Sequence, residues 1–284
     1  MSTHLSNTFS FSRLMMVMRR DLVENWKTNL QIALSVYGAF LISAVMSYTS
    51  QKDMTDSSLY FAYRMGFYMA VGIISYIIFL LNGVHIMETM NTKEKRISYL
   101  MLPATQAEKY VSRALQATVG TLVMILITLF LAELTRLMIF PILGAPEVLQ
   151  QFCLFDLKDM ALKGLFLNGV ENIQLDYLRN LAILNTLSWS VFSLSIYILG
   201  GTYFYKRPFL KTFCLIILGF VTLGFICNYW EPTDLLKNVD IEIELWLSSI
   251  LAIVLTGTCW GLSYFLFTRS QVTERINFKL FKRK

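Results

Sequence analysis

The chain has 284 residues, of which 55% are hydrophobic and 15% are charged, and its formal net charge is +6. This composition is too apolar and too poor in charge for an ordinary soluble domain. The positive charge does not indicate nucleic acid, because it is concentrated in short segments beside long apolar runs, where it would meet anionic lipid.

Residues 1–29 form the first segment and have the pattern of an amphipathic helix. Apolar residues recur at intervals of three and four, and basic residues occupy the other faces. Such a helix is typical of the membrane interface, and we expect this one on the cytoplasmic side because it leads directly into an apolar run. A partner-binding helix and a disordered leader are the alternatives. The apolar positions are Phe11, Leu14, Met15, Met18, Leu22 and Trp26.

Residues 30–268 contain six apolar runs, each long enough to cross a bilayer. A helix needs about 20 mainly apolar residues to cross ~30 Å of hydrocarbon. The sequence therefore predicts an all-α, polytopic membrane helix bundle with six transmembrane helices. The runs are Leu30–Thr49, Leu59–Met87, Tyr110–Phe140, Leu181–Tyr205, Phe209–Trp230 and Leu245–Thr268.

Basic residues are distributed unequally between the two sides that these runs define. With residue 1 placed in the cytoplasm, 18 of the 25 Lys and Arg residues fall inside and 7 fall outside or near the outer ends. This positive-inside bias predicts that both termini are cytoplasmic, with a basic tail at 269–284. It also places a long amphipathic segment, about 141–180, on the outer face.

The loop after the second run, about 88–109, has signals for a defined shape. Residues 92–101 can form a short basic helix, and Pro103 disfavours helical geometry at Leu102. Thr105 and Glu108 then have the spacing of a capping box, which would start the next helix. The sequence predicts a rigid elbow between the second and third runs. On these residues alone, a docking surface and a loop that only sets topology both stay open.

This loop resembles the first cytoplasmic loop of ABC-2-type transporter permeases. The resemblance rests on Glu88, a basic stretch and then Leu-Met-Leu-Pro-Ala-Thr-x-x-Glu-Lys-Tyr, and at motif level it covers residues 88–113. The six-span layout is also similar to that family. One departure is that many relatives carry a long external segment between spans five and six. Here that connection, about 231–244, is short, so gate positions of better-known exporters do not transfer.

The resemblance implies a permease subunit of an ATP-driven exporter in the bacterial cytoplasmic membrane. It implies a homodimer or a heterodimer with a second permease, and a coupling helix seated on a separate cytoplasmic ATPase. The residues that would face that ATPase are Lys93, Glu94, Lys95, Arg96, Tyr99, Leu100 and Leu102. The implied ATPase-coupling loop comprises Glu88, Lys93, Glu94, Lys95, Arg96, Tyr99, Leu100, Leu102, Pro103, Thr105 and Glu108.

The sequence has no motif that would give the chain a chemistry of its own. No G-x-x-x-x-G-K-[ST] sequence occurs, so ATP hydrolysis would have to come from a partner. The two histidines lie far apart, no Gly-x-Ser-x-Gly is present, and the four cysteines show no CxxC spacing. We therefore expect no catalytic residue, cofactor or metal ion. A non-transporting membrane scaffold shares the predicted topology and is the alternative to a permease.

Polar and small residues within the apolar runs are further candidates. Glu133 and Arg136 have helical spacing, and they would either line an outer gate or neutralise each other. Three asparagines, Asn82, Asn185 and Asn228, would form interhelical hydrogen bonds. Small residues would permit close packing within one bundle or between two chains. They are Ser35, Ala39 and Ser43 in the first run and Gly257 and Gly261 in the sixth.

Overall fold

A computed structural model of the protein describes residues 9–51, 56–90, 93–150, 173–204, 207–229 and 241–269. Within these ranges the regular structure is helical and contains no strand. Most of the predicted external segment at 141–180 and nearly all of the predicted tail at 269–284 lie outside them. The all-helical prediction is confirmed for the described part of the chain.

Within the described ranges the chain is built of α-helices. Three irregular turns interrupt them: a 3₁₀ segment at His85–Met90, a π-helical segment at Gln116–Gly120 and a 3₁₀ segment at Glu147–Gln150. The α-helices are α1 (Phe11–Glu24), α2 (Trp26–Thr49), α3 (Asp56–Val84), α4 (Lys93–Leu100), α5 (Gln106–Leu115), α6 (Thr121–Ile142), α7 (Ile173–Tyr203), α8 (Pro208–Tyr229) and α9 (Ile241–Thr268).

In the part of the chain that the structure describes, five helical stretches are long and apolar enough to cross a membrane. The apolar stretch of α8, Pro208–Thr222, is shorter than the others. The chain is therefore an integral multi-pass membrane protein, and its sixth crossing stays a prediction. The five stretches are Trp26–Thr49, Phe61–Met87, Gln106–Ile142, Asn180–Tyr203 and Ile241–Thr268.

One of two compact units comprises residues 21–79 and 119–179. In this unit α2 packs along α6, and aromatic rings of α2, α3 and α6 meet at one end of the core. The Phe140 ring centroid lies 5.4 Å from that of Tyr48 and 5.7 Å from that of Tyr63. Rings at this spacing attract each other beyond the area that they bury, so they fix the packing of the three helices.

The other unit comprises residues 1–20, 80–118 and 180–284. In it α7 comes so close to the end of α3 that a methyl group added at Gly201 would overlap the carbonyl oxygen of Val84. Hydrogen bonds also join α7 to α9: Trp260 Nε1 donates to Ser195 Oγ at 2.9 Å, and Ser248 Oγ donates to Asn185 Oδ1 at 2.9 Å. The prediction for Asn185 as an interhelical hydrogen-bonding residue is confirmed.

The third apolar run is expected to be one regular helix, but its first part has a different structure. It starts at Gln106, and the π-helical segment interrupts it before α6 begins. Thr118 Oγ1 donates to the carbonyl oxygen of Ala114 at 2.7 Å and so satisfies an acceptor beside the widened turn. Hydrophobic periodicity does not reveal one widened turn, because a π turn shifts the helical phase by a single residue.

We predict that Gly201→Ala destabilises the protein. The added methyl group has to displace the backbone of Val84, and overpacking of this kind typically costs about 1–3 kcal/mol. The expected result is a melting temperature several degrees lower in mild detergent, measured by thermal unfolding. Gly219→Ala is the matched control, since its added methyl group meets no described atom within 4 Å beyond the adjoining residues of its own helix. Equal melting temperatures for the two variants would contradict the close approach of α7 to α3.

Candidate functional site

The loop between α3 and α5 forms an elbow, which we define as residues 93–109. Helix α4 ends at Leu100, and Leu102 N then donates to the carbonyl oxygen of Tyr99 at 3.3 Å. Ala104 N donates to the carbonyl oxygen of Leu102 at 2.8 Å. The prediction that the short helix stops ahead of Pro103 is confirmed.

A capping box starts α5, as the spacing of Thr105 and Glu108 predicts. Glu108 N donates to Thr105 Oγ1 at 3.2 Å, and Thr105 N donates to Glu108 Oε2 at 2.8 Å. Both donors would otherwise lack a partner within the helix, and a capping residue typically contributes ~1 kcal/mol. The Glu108 side chain is fully buried. The position at which α5 begins, at the end of the elbow, is therefore fixed.

The elbow has two arms, α4 and the start of α5, and the buried side chain of Tyr99 fixes the first of them. Its hydroxyl donates to the carbonyl oxygen of Lys109 at 3.0 Å, and the Arg113 guanidinium lies 5.2 Å from the centre of its ring. The side chain is only 4% exposed and packs with Ile86 and Met87 of the 3₁₀ segment. The prediction that Tyr99 faces a partner protein is wrong, because its ring is needed to hold α4 against α5.

The exposed surface of the elbow lies elsewhere. Met101 is 79% exposed, Glu94 and Pro103 are also exposed, and Leu102 is half-buried. Met101 was not among the predicted site residues, and an exposed methionine at the end of a short helix has no sequence signal that separates it from a core methionine. The side chains of the remaining predicted residues lie outside those described: Glu88, Lys93, Lys95, Arg96 and Leu100.

Helix α1 lies against this elbow. Ser10 N donates to Glu108 Oε1 at 2.7 Å, and Arg13 Nη2 forms an ion pair with the same oxygen at 3.0 Å. Further along, Gln116 Nε2 donates to the carbonyl oxygen of Met18 at 3.2 Å. The sequence separation is 98 in both backbone contacts, so α1 runs parallel to α5 and in step with it.

The apolar residues of α1 occupy two faces. Leu14 and Val17 are buried, whereas Phe11, Met15 and Leu22 are at least half exposed. The predicted single apolar stripe is therefore divided, with one face used within the chain and another left on its surface. Asn25 separates α1 from α2 because its backbone leaves helical geometry there.

Glu133 and Arg136 form a closed charge pair in the unit that holds α2 and α6. Arg136 Nε and Nη2 donate to the two carboxylate oxygens of Glu133 at 2.9 and 2.7 Å, and Nη1 donates to the carbonyl oxygen of Leu149 at 2.6 Å. The guanidinium also lies 5.0 Å from the centre of the Phe140 ring. Each side chain is 1% exposed. The pair neutralises itself and holds the Glu147–Gln150 segment against α6.

Among the described residues, no group of three or more His, Cys, Asp or Glu side chains is arranged to hold a metal ion. His85 is exposed, and its Nδ1 lies 2.6 Å from the carbonyl oxygen of Leu81 in its own helix.

The chain matches no protein-family model, no curated protein and no solved structure.

We predict that neutralising Glu133 alone lowers the free energy of unfolding more than replacing both Glu133 and Arg136 by apolar residues. Glu133→Gln leaves a guanidinium without its counter-ion in an apolar interior, and such a loss typically costs about 3–5 kcal/mol. The double variant Glu133→Leu with Arg136→Met leaves no buried charge, so its free energy of unfolding should lie nearer to that of the wild type. Denaturant titration in detergent measures both values. A double variant at least as unstable as the single one would contradict the closed pair.

Proposed function

We propose that this chain is the membrane-spanning permease subunit of an ABC-2-type exporter, driven by a separate cytoplasmic ATPase. The observation that supports it best is the elbow, whose arms are fixed by the capping box and by the Tyr99 hydroxyl. A loop of fixed shape can transmit a push, which a flexible loop cannot. The motif at residues 88–113 supports the same function.

The proposal includes six membrane crossings, with α8 as the fifth, and both termini in the cytoplasm. The charge distribution along the sequence supports this orientation. We place α1 in the cytoplasmic interface of the bacterial cytoplasmic membrane, with Phe11, Met15 and Leu22 towards lipid, because these apolar side chains are exposed on the protein surface.

In the proposed mechanism, ATP-driven closure of the partner pushes α4. The push reaches the His85–Met90 segment and α5, since both pack against the elbow in the same unit. From α5 it reaches α9, because the Tyr110 ring lies 5.6 Å from that of Phe267 and 5.4 Å from that of Tyr264. These contacts are close-packed, and close-packed contacts transmit displacement instead of absorbing it.

The first test is purification of the full chain from its native membrane in mild detergent, with identification of the proteins that accompany it. We predict stoichiometric recovery of a P-loop ATPase. Met101→Asp should reduce that recovery by about tenfold or more, because it places a charge on an exposed apolar side chain of the elbow that the ATPase would cover. Glu94→Lys should also reduce recovery, since its side chain is exposed on the same elbow.

Glu244→Lys is the matched control for Glu94→Lys. It makes the same change of charge at an exposed position, but at the start of α9, which the predicted topology places outside. Recovery of the ATPase should be unchanged in this variant. A wild-type preparation that contains no ATPase, even after cross-linking, would contradict the permease assignment and favour a membrane scaffold.

We also propose that two copies associate through α9. Beyond the adjoining residues of α9 itself, no described atom lies within 4 Å of a methyl group added at Gly257 or Gly261, so no other described helix packs against this small-residue pair. Two such helices can approach closely in a membrane.

We predict that Gly257→Leu with Gly261→Leu converts a dimer in mild detergent to a monomer, measured by light scattering after size-exclusion chromatography. Gly219→Leu is the control, because its added methyl group is equally unobstructed but lies on α8. A dimer that survives the double substitution would exclude this face, and recovery with a different permease chain would indicate a heterodimer.

A further inference from the structure

The carboxylate of Glu108 binds more groups than a capping box requires. Its Oε2 accepts the hydrogen bond of the box from Thr105 N, whereas Oε1 accepts from Ser10 N at 2.7 Å and from Arg13 Nε at 3.2 Å. Ser10 is the residue that precedes α1. One buried carboxylate therefore lies at the N-terminal ends of two helices, where free N–H groups and the helix dipoles both favour negative charge.

The cap of α5 does not require a charged residue at position 108. Glutamine at the third helical position can complete a capping box as well, because its amide oxygen accepts the same hydrogen bond. The negative charge has its counterpart in Arg13, whose guanidinium lies 3.0 Å from Oε1. The hydrogen bonds of the α5 cap alone do not require the charge, whereas the ion pair with α1 does.

Two further contacts hold α1 on the same surface. Gln116 Nε2 reaches the carbonyl oxygen of Met18, and Arg20 Nη2 donates to Ser98 Oγ of α4 at 3.2 Å. Leu14 and Val17 are buried between these polar contacts. Helix α1 is therefore attached to both arms of the elbow. Of the charged side chains that make these contacts, Glu108 is fully buried.

We propose that Glu108 is the positioning residue that joins α1 to the elbow, so that α1, α4 and the start of α5 form one body. The cytoplasmic ATPase binds this body as a whole, a step that rests on the proposed function. If the elbow moved without α1, a buried carboxylate would lose its donors from Ser10 and Arg13, and a buried charge without partners is strongly disfavoured. A partner that displaces α4 must then displace α1 as well.

The test is hydrogen–deuterium exchange of the full chain in nanodiscs of phosphatidylcholine and phosphatidylglycerol, without any partner. Two peptides are compared, one covering residues 9–20 and one covering residues 106–115. Arg13→Gln and Glu108→Gln should each speed exchange in the α1 peptide by about tenfold or more, the scale expected from losing a charge-assisted hydrogen bond. Both variants keep a capping box, so the α5 peptide should change much less.

Thr105→Ala is the matched control, because it removes one half of the capping box without touching α1. It should speed exchange in the α5 peptide and leave the α1 peptide nearly unchanged. Arg13→Lys tests the charge itself, since lysine can restore the ion pair, and slow exchange of α1 should return in this variant. Unchanged α1 exchange in both glutamine variants, or faster exchange in α5 alone, would overturn the positioning role of Glu108.

A second measurement separates this inference from the proposed function. When the ATPase that accompanies the chain is added, exchange should slow in α1 together with the elbow in the wild type, but in the elbow alone in Arg13→Gln. Slowing confined to the elbow in the wild type would overturn the single docking body while the Glu108 contact stands. If no ATPase is recovered, the proposed function and the docking body both fail, and the exchange measurements without a partner still decide the role of Glu108.

Discussion

A carboxylate that is shielded from water is stable only where several donors converge on it, and Glu108 imposes this requirement on the unit that contains it. Donors come from the backbone at two helix starts, Ser10 and Thr105, and from the Arg13 guanidinium. Those donors are far apart in the chain, so their convergence determines where α1 lies and where α5 begins. The position of α1 beside the start of α5 therefore depends on this one buried group.

The other unit also contains buried charged groups whose hydrogen bonds have to be satisfied. Arg136 and Glu133 are buried among aromatic rings, and their hydrogen bonds are complete only because the chain turns back after α6 to present the carbonyl oxygen of Leu149. Gly144 makes that turn possible, since its backbone has a φ of +69°, a region in which other residues are strained. In each unit a buried ionic group therefore fixes the position of a neighbouring segment that periodicity alone would leave undetermined.

Local signals in the sequence predicted local structure well. The capping box and the helix stop before Pro103 involve residues three positions apart or a single proline. The pairing of Glu133 with Arg136, also three positions apart, was one of the two alternatives that the sequence offered, beside an outer gate. Contacts between distant segments could not be predicted in this way. Nothing in residues 92–101 tells that Tyr99 points inwards, because its direction is set by the carbonyl oxygen of Lys109 on another helix. The contact of Arg13 with Glu108 has the same origin, at a sequence separation of 95.

The glycines also show that contacts between distant segments could not be predicted from the sequence. A methyl group added at Gly201 would meet the backbone of Val84, whereas one added at Gly257 or Gly261 would meet no described atom within 4 Å outside the adjoining residues of its own helix. All three glycines look alike in an apolar run of the sequence. The difference lies in which helix is the neighbour, and sequence spacing carries no information on that.

A loop that only sets topology needs positive charge on the correct side of the membrane and no particular shape. The elbow has features beyond that requirement: a capping box, a tyrosine hydroxyl satisfied by a backbone carbonyl, and a second helix held to it by a partly buried ion pair. Each of these restricts conformational freedom, and ordering a residue costs about 1–2 kcal/mol in backbone entropy. Rigidity of this kind is useful where force has to pass from a soluble partner to helices in the membrane. The shape of the elbow therefore favours a coupling role over a purely topological one.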